Sequence, residues 1–237
     1  SDPAAEWLEA DGLGGFASGT ASGIRTRRYH ALLLAATTPP TGRVVLANGI
    51  EAWVRVGGRD IALSSQRYTP DVTHPDAAGR IVEFSPHPWP RWTYELGDGT
   101  RIHQEVVVPH ERAAVVLRWT AAGAREPLEL CVRPLMSGRD YHALHHENPA
   151  FRFDPARIEN GLAWRPYDGL SEIHVLFDAR YEHAPTWYRG FQYDEERERG
   201  GRRRRPRVVD LQVGAPGGPV LPSGVCGRGD VEDRRSR

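Results

Sequence analysis

Hydrophobic residues in this chain recur at every second position through short runs, and clusters of Gly, Pro and Asp separate the runs. The runs are RYHALLLAA (28–36), RVVLAN (43–48), EAWVRVGG (51–58), RIVEF (80–84), RWTYEL (91–96), RIHQEVVV (101–108), AAVVLRWTA (113–121), PLELCVRPL (127–135), LAWRPY (162–167) and EIHVLF (172–177). Within EAWVRV, Ala52, Val54 and Val56 fall on one side of an extended chain and Trp53 and Arg55 on the other, which is a strand period rather than a helical one. Between RWTYEL and RIHQEVVV lies GDGT (97–100), whose Asp98-Gly99 pair offers the positive φ angles of a tight hairpin. Many short strands at such spacing predict an all-β, antiparallel sandwich. No amphipathic helical pattern stands out before residue 190, so little helix is expected.

From about residue 197 the pattern stops. RERGGRRRRPRVVDLQVGAPGGPVLPSGVCGRGDVEDRRSR has no aromatic residue and is dense in Arg, Gly and Pro, too poor in apolar surface to offset the entropy of ordering it. The expected division is a β domain over 1–198 and a low-complexity, disordered tail over 199–237. An Arg/Gly tail suggests nucleic-acid binding. Acidic residues at 194–198 and 230–233 break up its charge and no aromatic is interleaved, so it reads instead as a solvated tail or as GC-rich coding sequence translated out of frame. No nucleic-acid partner is expected.

Composition narrows the chemistry. The chain has 237 residues, 39% hydrophobic and 26% charged, long enough to bury a substantial core. Its 31 basic and 31 acidic residues cancel, so no overall field draws it to polyanions or anionic membranes. All the basic residues are Arg, which excludes Schiff-base lysines, lysine general bases and the P-loop lysine. Two cysteines, Cys131 and Cys226, make neither a disulfide framework nor a zinc pattern. No apolar run is long enough to span a membrane and SDPAAEWLEADG is no signal peptide, so a cytoplasmic protein without a membrane partner is expected. With no Met at position 1, a start upstream is the expectation.

Three motifs were weighed. Gly12-Leu13-Gly14-Gly15-Phe16-Ala17 fits the dinucleotide pattern formally, but a polar segment precedes it and Ser, Gly and Thr follow where a helix should start. A close-packed glycine loop is the expected role. HALHHEN (142–148) offers His142, His145, His146 and Glu147 as ligands at a spacing that matches no zinc motif, so neither a metal nor any cofactor is expected. Trp89, Trp92, Trp164, Trp187, Tyr188 and Tyr193 are candidate sugar-stacking rings, most of them expected in the core. No acid is assigned a catalytic role, since a hydrolytic carboxylate pair is defined by separation in space.

Four stretches, EWLEADGLGGFASGTASGIRTRRYHALLLAA (6–36), RPLMSGRDYHALHHEN (133–148), GLAWRPYDGLSEIHVLFDA (161–179) and WYRGFQYDEERERG (187–200), resemble the N-terminal domain of archaeal and bacterial glycogen debranching enzymes, amylo-α-1,6-glucosidases related to glucoamylase. The resemblance covers residues 5 to 200 and stops abruptly after Arg199. Asp11 stands where relatives often have Asn, and Ala31 where they usually have Gly. What the resemblance implies is a galactose-mutarotase-like β-supersandwich placed before an α/α barrel that carries the hydrolytic carboxylates. No stretch of this chain resembles that barrel. The implied role is a non-catalytic domain of a glycoside hydrolase that cleaves α-1,6 branch points, with glycogen or branched maltooligosaccharide and the barrel as partners. On that basis Gly14, Gly15, Arg27, Arg28, Tyr29 and His30 are expected at a junction with the barrel near its glycan cleft, the alternative being that members such as Arg28 and His30 hold only sandwich or interface contacts. Arg139, Asp140 and His142 are expected either beside them on the rim or, for Arg139 and Asp140, as a buried bracing pair. The alternative is a free-standing carbohydrate-binding module for α-glucans.

Overall fold

The structure, a computed structural model, describes residues 2–199 and the backbone of 209–212 and 225–228. The chain opens with β1 (Glu6–Ala10) and β2 (Phe16–Thr20), continues through β3 (Ala31–Thr38) and the long β4 (Thr41–Val56), and folds back as β5 (Arg59–Ala62). After the short β6 (Arg67–Tyr68) and β7 (Val72–Thr73) it makes a meander of β8 (Ile81–Ser85), β9 (Arg91–Glu95), β10 (Arg101–Val107) and β11 (Val116–Ala122). β12 (Glu129–Asp140) returns to β4, followed by a small sheet of β13 (Ala156–Ile158), β14 (Gly161–Trp164) and β15 (Ile173–Leu176). Then come β16 (Arg180–Tyr181), β17 (Trp187–Phe191), the helix α1 (Asp194–Arg199), β18 (Val209–Gln212) and β19 (Val225–Arg228).

The strand pairs are antiparallel, and the largest sheet runs β1-β2-β3-β4-β12-β19-β16 with β5 added to β4. On one face it packs against the meander, where Ala52, Val54 and Val56 meet Trp92, Tyr94, Ile102 and Val106. On the other face β14 and β15 bring Leu162, Trp164 and Ile173 onto Ala35, Leu46, Ala47 and Met136. Cover on both faces explains why β3 reads ALLLAA without strict alternation. β4 keeps its predicted alternation: Trp53 points away from the meander onto Cys131, and Arg55 pairs with Asp60 and Glu129.

Several boundaries differ from the sequence reading for local reasons. The runs 43–48 and 51–58 are one strand, because Gly49 and Ile50 pair with Leu135 and Pro134 of β12 and Asn48 is the extra residue at the register shift between Leu135 and Met136. The first β3 residue is Ala31 rather than Arg28, since a turn closed by His30 N–H to Arg27 O at 3.1 Å holds Arg28 and Tyr29 out of the sheet. In the β9–β10 hairpin only Gly99 has positive φ, +85°. Asp98 instead accepts hydrogen bonds from the Thr100 amide at 2.9 Å and its hydroxyl at 3.0 Å, a turn followed by one left-handed glycine.

The sequence reading expects no disulfide framework from two cysteines, but the register sets Cys226 opposite Cys131 across β12 and β19, and Cys131 is buried and disulfide-bonded. Most of the tail expected to be disordered, residues 199–237, lies outside the described residues, as does the Arg-rich stretch weighed for nucleic acid; the two segments described there are the strands β18 and β19. Among the described residues no helix is long and apolar enough to cross a membrane.

Candidate functional site

Gly12 to Gly15 close the β1–β2 hairpin, with the Asp11 amide donating to Gly15 O at 3.1 Å. No helix follows, so the phosphate-cradling geometry of the dinucleotide motif does not form. Gly14, at φ +101°, passes so near Pro40 that a β-carbon would lie 2.7 Å from its carbonyl oxygen. At Gly15 a β-carbon would lie 2.4 Å from Asp11 Oδ2 and 2.5 Å from Leu34 O. Asp11 Oδ1 accepts the Leu13 and Gly15 amides at 2.7 and 2.9 Å. An Asn amide oxygen can accept the same two bonds, so Asp11 in place of Asn leaves the loop intact.

The second loop, residues 21–30, carries the arginines. His30 is buried; its Nδ1 accepts the Thr26 amide at 3.2 Å and its Nε2 lies 3.2 Å from Glu6 Oε1. With Nδ1 accepting, the proton sits on Nε2. Burial holds His30 down at about 4 despite the Glu6 carboxylate, with Arg27 adding to the depression, so the ring is neutral near pH 7. Arg27 donates to Glu6 at 2.5 Å and reaches Glu195 at 3.4 Å. Arg28 donates to Tyr29 Oη at 2.8 Å, lies 4.9 Å over the Tyr29 ring and stands 3.9 Å from Glu196. The acidic first turn of α1 thus faces both arginines.

Arg139 is buried and is not paired with the Asp140 carboxylate. The bracing pair anticipated from sequence is therefore replaced by a backbone clamp: Nη2 donates to Arg28 O at 2.5 Å and Asn48 Oδ1 at 3.1 Å, and Nη1 to Ala143 O at 3.0 Å and Tyr141 O at 3.3 Å. Its five N–H donors, held in a planar fork, let one side chain reach four carbonyl oxygens at once. Asp140 is exposed and caps the turn, accepting the His142 amide at 2.8 Å. The clamp sets Tyr29 against Tyr141, ring centroids 5.7 Å apart, and against His142 at 5.9 Å edge-on, with Tyr29 Oη 3.4 Å from His142 Nδ1.

Sequence reasoning missed the residue that ties the glycine hairpin to this cluster. Arg43 Nε donates to Gly14 O at 2.9 Å while its guanidinium lies 5.7 Å from the Tyr141 ring centre. Gly14, Arg43, Tyr141, Tyr29, Arg28 and His142 therefore form one continuous chain of contacts, half exposed and made of rings, guanidinium and imidazole. Arg27 and His30 form its inner neighbour around Glu6. Arg43 sits in a plain β-strand run, and no local signal distinguishes it.

The other candidates disperse. His145 is buried, with Nε2 2.6 Å from Tyr167 Oη and Nδ1 3.4 Å from Ser137 Oγ. Glu147 pairs with Arg189, so HALHHEN does not converge. Among the described residues no group of three His, Cys, Asp or Glu is placed to hold a metal. Trp92, Trp164 and Tyr193 are core, Trp187 packs on the second core, and Tyr188 is engaged by Glu51 and Arg133. Trp89 is exposed and donates to Glu105 at 3.0 Å. Among the described residues three carboxyls have displaced ionisation, all downward. Glu6 is raised by burial but lowered further by Arg27 and His30; Asp71 is lowered by Gln192 and Asp98 by the Thr100 amide. A general acid needs displacement the other way.

Residues 5–205 match the family described as glycogen debranching enzyme N terminal. No curated protein and no solved structure matches the chain.

Proposed function

The chain belongs to the family of glycogen debranching enzyme N-terminal domains, and from that premise we propose that it is a non-catalytic support for a separate catalytic α/α barrel, with the Tyr29–Tyr141–His142 face lying at the barrel junction and rimming the glycan cleft. The observation that carries this reading is the Arg139 clamp, which spends a buried guanidinium on backbone carbonyls to hold two loops and present aromatic rings outward. Flat rings beside guanidinium and imidazole donors suit a sugar, whose C–H face stacks while its hydroxyls accept and donate.

Hydrolysis of an α-1,6 linkage needs one carboxylic acid to protonate the glycosidic oxygen and a carboxylate to activate water. The downward displacement of Glu6, Asp71 and Asp98 leaves these three ionised near neutral pH and unsuited to protonate the glycosidic oxygen, which supports placing the general acid outside this chain. On this reading α-glucan is the substrate of the assembled enzyme.

The test is to produce this chain together with the barrel half of a debranching enzyme as separate polypeptides. A complex that debranches glycogen, with neither half active alone, is the expected result. Hydrolysis by this chain alone, or failure of the halves to associate, overturns the proposal. Tight binding of maltooligosaccharide by the isolated chain would replace it with a free carbohydrate-binding module.

A further inference from the structure

Between the main sheet and the meander lies a cavity of about 80 Å³, several times the roughly 10–15 Å³ that one water needs on the same measure. Its wall includes Trp7, Arg25, Asn48, Gly49 and Gln66, and the exposed Gly23 also lines it, so it reaches solvent at the turn after β2. Arg25 is 8% exposed and Asn48 1%. Gly49 has no side chain because Arg25 needs the room: a β-carbon there would lie 2.8 Å from Arg25 Nη1.

The polar groups on this wall are unbalanced. Arg25 Nη2 donates to Gln66 Oε1 at 2.9 Å, and Gln66 in turn donates to Ile50 O at 3.0 Å. Arg25 Nε and Nη1, Asn48 Nδ2 and Trp7 Nε1 have no acceptor. Every unsatisfied side-chain atom on the wall is therefore a donor. Among the described residues no carboxylate lies within ion-pair distance of Arg25; its other contact is the Phe191 ring, 4.6 Å from the guanidinium carbon. Arg139, joined to the same Asn48, adds a second buried positive charge beside it. A guanidinium does not shed its proton, so burying one without a counter-charge is expensive. Water can accept from these donors but brings no negative charge to set against the guanidinium.

We propose that this cavity binds a small anion, with Arg25 as its counter-charge and Asn48 and Trp7 as further donors. The volume admits a group of chloride, formate or phosphate size. The occupant ties β2 and β4 to the meander and stabilises the sandwich.

The full chain is melted at constant ionic strength in sodium gluconate, whose anion is bulkier than any of the three tested, with chloride, formate or phosphate replacing gluconate stepwise. The expected result is a saturable rise in Tm of about 2–4 °C for at least one of the three, the lowest midpoint identifying the preferred anion. Asn48→Asp places a fixed negative charge on the wall and is expected to abolish the response while leaving Tm in gluconate no lower. Arg25→Met removes the counter-charge and is expected to lose the response as well. If chloride, formate and phosphate all leave Tm at its gluconate value, the cavity holds water only and the proposal fails. A wild-type-sized response in either folded variant also overturns it.

Discussion

Arg139 donates from Nη2 to the backbone carbonyl of Arg28 at 2.5 Å, so a guanidinium on β12 holds in place a loop that lies 111 residues earlier. The same group binds Asn48 and the carbonyls of Tyr141 and Ala143. A lysine there keeps the charge and loses the fork. Arg139→Lys is expected to cost about 2–4 kcal/mol, because buried carbonyls lose their donors and the ammonium is stranded. Urea denaturation measures this, and a variant within about 0.5 kcal/mol of the parent would show that the clamp carries little.

Gly15 and Gly23 separate steric need from backbone freedom. At Gly15 a β-carbon meets the Leu34 carbonyl and the Asp11 carboxylate, and at Gly23 it meets nothing within 4 Å although φ is +75°. Gly15→Ala should therefore destabilise by roughly 3 kcal/mol or prevent folding, against about 1–2 kcal/mol for Gly23→Ala. Thermal melts of the two variants side by side give the comparison, and equal losses would contradict the contact described at Gly15.

His30 gives the chain an acid-side instability. Unfolded, its imidazole titrates at its ordinary 6.5; folded, burial keeps it down at about 4, so between these values the unfolded state binds more protons. Stability from this group is complete above about 6.5 and lost as pH falls toward 4, a loss of the order of 2 kcal/mol. Glu6 is held below its ordinary 4.5, so its own contribution starts to fall only at the acid end of that window. The expected outcome is that His30→Gln shows a flatter decline in unfolding free energy between pH 6.5 and 4 than the parent. Parallel curves would assign the slope to other groups.

Tyr29 tests the rim. Its ring packs on Tyr141 and His142 at the edge of the molecule and belongs to no core cluster. In a full-length debranching enzyme of this family, the matching Tyr→Ala change is expected to raise KM for branched maltooligosaccharide by about three- to tenfold with kcat unchanged. In the chain itself Tyr29→Ala should alter stability by about 1 kcal/mol or less. An unchanged KM would remove the ring from the glycan path.

The all-β architecture was legible because period-two alternation is a local signal: Ala52, Val54 and Val56 could be set on one face from their spacing, and they are. The glycine hairpin was legible as a close approach for a similar reason, since a run of residues without side chains has few other uses. Tertiary pairing was not. Nothing near Arg43 announces Gly14, and nothing near Arg139 announces Arg28, because those partners are chosen by strand register across long loops. Arg25 was passed over although its neighbours Arg27 and Arg28 were singled out. Three arginines in GIRTRRYH look alike until the fold turns one inward and two outward.

β4 runs for 16 residues, roughly 50 Å at the usual rise per residue. Its two ends belong to different apolar clusters, Leu46 and Ala47 to one and Ala52, Val54 and Val56 to the other. Neither cluster can come apart without withdrawing a segment of the same backbone from the other. Damage at its midpoint, where Asn48 and Gly49 lie, is therefore felt at both ends of the molecule, and a single cooperative transition follows from that shared beam.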